Sequence, residues 1–382
     1  MQINQKKLLR NISVSFLKNK KILVRVDFNI ENFKEIGTLL KHPRIKKTLP
    51  TINFLLKAKP KQIIVISHRG QPRGRDAKLS LRPVYWQLRR IYKNLAFADR
   101  PDNLGNAPLV LVENIRFFKG ETENNVRFGK KLASLADIYV NEAFSMSHRH
   151  NASVVQVPKY VRSFAGFLFE EELKNLAKLF SPKHPYGAVL GGAKISTKLP
   201  LLKRLIKQAD CIILGGALAN SALSNLGFEI GRSLAEKNIR GLKSILKNRK
   251  VMLPADFYVL SQGRKQKRFL GNLQKNDCIY DIGPLSLVNF FRVLRGAKTI
   301  IWNGPVGLFE DKRFSNGTFI LACYLAGLRG FRVVGGGETL MALEQTRLLK
   351  KFDFVSTAGG AMLEFLAGKR LPGIEALHLI KH

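Results

Sequence analysis

The chain has 382 residues, 45% hydrophobic and 24% charged, which fits a folded, soluble protein of two ordinary domains and excludes a disordered or fibrous chain. Its 65 Lys+Arg against 27 Asp+Glu give a net charge of +38, a field that attracts phosphates and polyanions. Three widely separated cysteines, Cys211, Cys278 and Cys323, form neither a disulfide framework nor a paired-cysteine metal motif, and no apolar run reaches the 18 residues that a membrane span needs.

The chain opens with "MQINQKKLLRNISVSFLKNKK". The absence of acids is typical of a transit peptide, but the segment runs straight into an apolar strand and is read as part of the folded domain. Strands are predicted at 22–29 ("ILVRVDFN"), 62–70 ("QIIVISHRG"), 109–116 ("LVLVENIR") and 137–144 ("DIYVNEAF"), separated by longer helical patterns. That alternation is the signature of a parallel α/β sheet. Ligands bind beyond the carboxyl ends of such strands, so Asp27, Asn29, His68, Arg116 and Glu142 are expected at one edge. Next comes "AGFLFEEELKNLAKLF" (165–180), apolar at helical spacing with an acidic start, a candidate connecting helix.

Five further strands follow, each ending in a glycine turn: "GAVLGGAKIS" (187–196), "CIILGGALAN" (211–220), "TIIWNGPVG" (299–307), "RVVGGGETL" (332–340) and "FVSTAGGAML" (354–363). Side-chain-free turns that open helices let backbone N–H groups approach phosphates. In "GGAKISTK" the four-residue spacing predicts Lys194 and Lys198 on one helix face. In "GGGET" the acid Glu338 stands where a phosphate would sit, which makes physical sense if a divalent metal bridges the two. The first half instead offers Arg44, His68, Arg116 and Arg149 in turns or at strand ends, suited to a small multiply charged anion. A cationic half and a glycine-rich half together suggest phosphoryl transfer between a small anion and a nucleotide, although no GxxxxGK[ST] loop or protein-kinase motif is present. The positive charge is spread along the chain, which reads as general surface charge; a functional polyanion-binding role is the other reading.

Ordered segments from "LVRVDFN", "RIKKTLPTI" and "SHRGQPRG" through "LVENIRFF", "GGAKISTK", "WNGPVGLFE" and "GGGET" to "STAGGAMLEFLAGKRLPG" resemble the phosphoglycerate kinase family nearly end to end. The resemblance implies two doubly wound parallel-sheet, Rossmann-like domains joined by a hinge helix. These would be residues 1–164 for phosphoglycerate, 165–180 as the joining helix and 181–364 for nucleotide, with 365–382 packing back on the first domain. It implies reversible transfer between ATP and 3-phosphoglycerate, giving ADP and 1,3-bisphosphoglycerate, with Mg²⁺ accompanying the nucleotide. Carried over by position, Asp27, Asn29, Arg44, His68, Arg116 and Arg149 would hold the phosphoglycerate. Arg44 and Lys194 would neutralise the moving phosphoryl group, and Lys198 would bind nucleotide phosphates. Gly191, Gly192, Gly215, Gly216, Asn303, Gly335, Gly336, Gly337, Thr339, Gly359 and Gly360 would line the nucleotide site, Glu310 would take the ribose hydroxyls and Glu338 the metal. A monomer in the cytoplasm is expected, with nucleic acid contacts only of the non-specific, charge-driven kind.

Several positions depart from the family pattern. Gln71 stands for an arginine, Ser145 and Met146 for Gly-Thr, Asn151 for a histidine, Thr197 for an aspartate, Ala217 and Ala358 for glycines, and Glu338 for an aspartate. Losing a guanidinium at 71 should weaken phosphate binding by roughly 1.5–3 kcal/mol unless Arg69 or Arg73 replaces it. The alternative is a catalytically weakened fold retained for ligand or polyanion binding.

Overall fold

The structure, a computed structural model, describes residues 2–30 and 36–381. Met1 and His382, which bound the predicted first domain and its returning segment, lie outside the described residues. The chain divides into two compact units, Met1–Ala177 with Arg370–His382, and Lys178–Lys369.

In the first unit six parallel strands, β2 (Lys21–Arg25), β3 (Gln62–Ile66), β4 (Leu95–Ala98), β5 (Leu109–Val112), β6 (Ile138–Asn141) and β7 (Arg162–Ala165), lie in the order β4-β5-β3-β2-β6-β7. Every residue of β3, β5 and β6 is buried, as expected for strands covered on both faces. The helix Pro43–Lys57 begins where Pro43 needs no N–H partner and His42 Nδ1 accepts from Arg44 N at 3.3 Å, so Arg44 sits in the first turn. The helix Phe167–Ala177 follows β7 through Gly166 and packs Phe167 on Phe54 with ring centroids 5.1 Å apart. The N-terminal segment is folded in, with Leu8, Leu9 and Leu17 fully buried. The chain returns to this unit after Lys369: Gly373 N donates to Ser147 O at 2.9 Å, and β1 (Gln2–Ile3) pairs antiparallel with β17 (Ile380–Lys381).

The second unit has parallel strands β8 (Tyr186–Leu190), β9 (Cys211–Leu214), β10 (Val251–Met252), β14 (Thr299–Asn303), β15 (Phe331–Gly335) and β16 (Phe354–Ser356), in the order β10-β9-β8-β14-β15-β16. A three-stranded antiparallel sheet, β12-β11-β13, is built from β11 (Asp256–Ser261), β12 (Arg264–Phe269) and β13 (Cys278–Ile282). Two parallel-sheet α/β domains were expected and are found. The strands β1, β4, β7, β10 to β13 and β17 were not foreseen. β4 ("LAFA") and β7 ("RSFA") contain no β-branched residue, β10 is two residues long, and the "RKQKRF" of β12 has no apolar alternation.

Strand order reverses between β2 and β6 in the first unit and between β8 and β14 in the second. A crevice opens at the carboxyl ends of the strands flanking such a reversal.

Candidate active site

The first crevice is built around Asp27, two residues past β2. Arg44 Nη1 lies 3.2 Å from its carboxylate, Asn29 N donates to Oδ1 at 2.9 Å and Ser145 Oγ to Oδ2 at 2.5 Å. Burial opposes ionisation of Asp27, but the Arg44 guanidinium, the Ser145 hydroxyl and the Asn29 N–H more than offset it and hold the carboxyl well below its usual range. Arg44 also donates to Asn29 O at 2.6 Å, and Asn29 Oδ1 accepts from Gly70 N at 2.8 Å. These bonds tie the loop after β2 to the first turn of Pro43–Lys57 and to the loop after β3.

His68 is almost fully buried, and burial is the main reason its basicity is well below that of free imidazole. Asp27 pulls the other way from 4.0 Å, without forming an ion pair because the ring is neutral. Arg116, half-buried, donates through Nη1 to Gly70 O at 2.6 Å. Burial, with Arg25 and Arg149 close by, lowers its pKa to about 10, and its buried Nε has no acceptor among the described residues. Arg149 is exposed on the turn after β6. Asp27, Asn29, Arg44, His68, Arg116 and Arg149 thus gather at one sheet edge around a single ionised acid.

Glu142 differs from expectation. It is fully buried, accepting from Thr51 Oγ1 at 2.7 Å and Leu168 N at 3.0 Å, and does not project into the crevice. Gly166 permits this: a Cβ there would lie 1.8 Å from Glu142 Oε2. Burial raises its pKa to about 8 despite those two bonds. Arg25 and Glu121, which sequence reasoning passed over, form a buried ion pair beneath the crevice at 3.9 Å; the signal was a cation inside the apolar run "ILVRVDF". Arg69 is also committed elsewhere, donating to Ile30 O and Ser80 O at 3.2 Å each, so it does not replace the arginine missing at Gln71; Arg73 is exposed.

The second crevice is made of glycine turns on five adjacent strands, β9, β8, β14, β15 and β16. Gly191 N donates to Asn303 O, Gly192 N to Pro305 O and Gly216 N to Val306 O, each at 2.9 Å. The turns touch so closely that a Cβ on Gly191 would lie 2.0 Å from Pro305 O and one on Gly215 would lie 2.4 Å from Val306. Lys198 crosses the strand-order reversal, its Nζ donating to Gly191 O and, at 3.1 Å, to Asn303 O. Burial lowers its pKa to about 8, with Glu338 opposing the fall. Asn303 Nδ2 donates to Gly335 O at 2.9 Å, and Thr339 Oγ1 accepts from Gly304 N at 2.7 Å. Gly336 takes φ +97° to open the helix Gly337–Gln345, whose exposed Glu338 stands in the first turn. Gly359 (φ +54°) and Gly360 open the helix Gly360–Leu366.

Lys194 and Lys198 do not share a helix face. The helix is Leu199–Gln208, Lys198 is its cap, and Lys194 is exposed in the preceding turn. Pro200 explains this, since its ring would clash with the Ser196 carbonyl if the helix began earlier. Beside the crevice lies a cavity, mostly apolar, lined by Ala217, Leu234, Val306 and Leu308 with Glu310 at its wall. It suits a flat base with a polar hydroxylated neighbour.

A doubly wound unit with a glycine-lined crevice and a buried lysine, in one chain with a doubly wound unit bearing a cationic crevice, defines a phosphotransferase of the nucleotide-dependent kinase class. The family model for phosphoglycerate kinase matches residues 12–369. The phosphoglycerate kinase of Coprothermobacter proteolyticus is 41% identical over 97% of this chain and 98% of its own, and that of Aquifex aeolicus 39% identical over 96% and 97%. The structure of phosphoglycerate kinase from Coxiella burnetii superposes with a TM-score of 0.84 at 36% identity, covering 97% of this chain and 98% of that one. The chain belongs to the phosphoglycerate kinase family, ATP-dependent transferases of glycolysis. Nothing in the site favours the alternative of a fold kept only for binding. Among the described residues no helix is long and apolar enough to cross a membrane.

Proposed function

We propose that the first crevice binds 3-phosphoglycerate and the second binds ATP or ADP as its Mg²⁺ complex, each through the residues carried over from the family pattern. The observation that carries this reading is Lys198: a buried ammonium at a strand-order reversal, ringed by turns without side chains, is built to meet phosphate.

In the first crevice Arg44, Arg116 and Arg149 supply the positive charge for phosphate and carboxylate, and Arg44 also neutralises the acyl phosphate as it forms. Asp27 remains ionised and accepts hydrogen bonds only, so its partner is the glycerate hydroxyl and not an anionic group. In the second crevice Lys198 and the first-turn N–H groups of the helices that open at Gly337 and Gly360 hold nucleotide phosphates, and the exposed Lys194 follows the transferring group. Glu310 accepts from the ribose. Among the described residues no three His, Cys, Asp or Glu gather to hold a metal by themselves. Glu338 is a single carboxylate in a helix's first turn, which fits Mg²⁺ brought by the nucleotide, an ion commonly held by one or two carboxylates and substrate phosphates. When bound, the ion would offset phosphate charge. The family's place in glycolysis supports a cytoplasmic enzyme, and the expected working unit is the monomer.

Calorimetry tests the division of labour. Arg116→Ala should lose 3-phosphoglycerate binding and retain ADP binding, and Lys198→Ala should do the reverse. Loss of both ligands in both correctly folded variants would contradict it.

A further inference from the structure

The buried cluster beneath the first crevice has a consequence for how His68 meets its ligand. Arg25 is fully buried at the end of β2, where a charge is costly unless it is fully bonded. Its Nε donates to Ser153 Oγ at 2.9 Å, Nη1 to Val26 O, and Nη2 faces both Glu121 Oε1 at 3.9 Å and His68 Nδ1 at 3.2 Å. Glu121 is in turn held by Ser153 N at 2.8 Å and Ser153 Oγ at 2.6 Å. A guanidinium has donors only, so the His68 nitrogen facing it must be an acceptor and the ring proton resides on Nε2. Among the described residues Nε2 has no hydrogen-bond partner.

We propose that Arg25 is a positioning residue for His68: by donating to Nδ1 it fixes the Nε2–H tautomer, so the ring offers phosphoglycerate one directed hydrogen-bond donor and not a titrating cation. This rests on the reading that the first crevice holds phosphoglycerate. The charged groups acting on His68 are Asp27, Arg25, Arg116 and Arg44. Three of these four are cations that disfavour a charged ring, and burial acts in the same sense. An imidazole locked in this way donates equally across the neutral pH range.

The test uses the full chain labelled with ¹⁵N-histidine, with His68 assigned by comparison with His68→Gln. Long-range ¹H–¹⁵N spectra should show an unprotonated Nδ1 and a protonated Nε2, unchanged from pH 6 to 8, with and without 3-phosphoglycerate. A protonated Nδ1, or a midpoint between pH 6 and 8, overturns the proposal. Arg25→Met with Glu121→Gln removes the donor without stranding a buried charge. It should give a mixed tautomer population and a roughly three- to tenfold rise in KM for 3-phosphoglycerate, with little change in kcat. An unmixed tautomer in that folded variant also overturns the proposal; if the variant does not fold, the wild-type spectra decide it. Unchanged 3-phosphoglycerate affinity in His68→Ala would contradict the substrate reading instead, and leave the tautomer to the spectra.

Discussion

Lys198 shows how burial at a single residue sets the chemistry of the second crevice. Burial brings the Lys198 pKa down from 10.5 to about 8, so the folded chain releases this proton before the unfolded chain does. Between pH 8 and 10.5 the unfolded state binds more protons, and stability attributable to this group rises with pH; below pH 8 the full cost of the buried ammonium remains. Function follows the opposite course, because the neutral amine holds phosphate poorly. ADP affinity should therefore weaken as pH rises from 7 to 9.5, and Lys198→Met should bind more weakly throughout without that dependence, as calorimetry across the range would show. A pH dependence identical in wild type and variant would exclude Lys198 as its source. At this scale the sequence was informative about residue type but not about environment. "GGAKISTK" marks both lysines, yet only packing distinguishes the buried Lys198 from the exposed Lys194. Arg25 was visible as a cation in an apolar strand, but its partner Glu121 is distant in sequence and gives no local signal.

Glu142 joins three elements: it lies just past β6, accepts from Thr51 on Pro43–Lys57, and accepts from Leu168 at the start of Phe167–Ala177. Its pKa, raised from 4.5 to about 8, means the folded chain binds this proton more tightly than the unfolded chain. The resulting stability is complete below pH 4.5 and is lost as pH rises through 8. Glu142→Gln keeps an acceptor for both bonds without ionising, so its melting temperature relative to wild type should climb from pH 5 to about 8 and level off above that. A difference that stays flat would show that Glu142 does not titrate in this range. The glycine turns make a second prediction about elements. In Gly191→Ala the new Cβ meets the Pro305 carbonyl at 2.0 Å, a backbone atom that cannot rotate away. Denaturant unfolding should show a loss of about 1–3 kcal/mol, with weaker ADP binding. Elements whose apolar run ends in a turn signal, such as β8, β9 and β14, were legible in the sequence because burial on both faces leaves a continuous apolar stretch. β12 was not, because its exposed faces carry lysine and arginine, a pattern that suits a sheet edge but has no hydrophobic period.

At the scale of the whole chain, the net charge of +38 is the feature least explained by the fold. Cations stand in both crevices, Arg44 and Arg116 in the first and Lys198 in the second, but others lie elsewhere on the surface, as the charged β12 illustrates. Binding to a short single-stranded RNA should be detectable by fluorescence anisotropy at low salt, be indifferent to sequence, and vanish near physiological salt. Retained, sequence-selective binding at that salt would instead point to a dedicated nucleic-acid site. The two-domain architecture was readable from the alternation of strands and helices, and the chemistry from the contrast between arginines in one half and glycine turns in the other. What linear reading could not supply was the convergence of residues far apart in sequence, such as Ser145 on Asp27 or Asn303 on Lys198. The central claim is that these crevices carry phosphoryl transfer, and a coupled assay of 3-phosphoglycerate with Mg-ATP tests it most directly. Wild type should turn over, and Lys198→Ala should lose about 10²- to 10³-fold in kcat; equal rates in wild type and a folded Lys194→Ala, Lys198→Ala double variant would contradict the account.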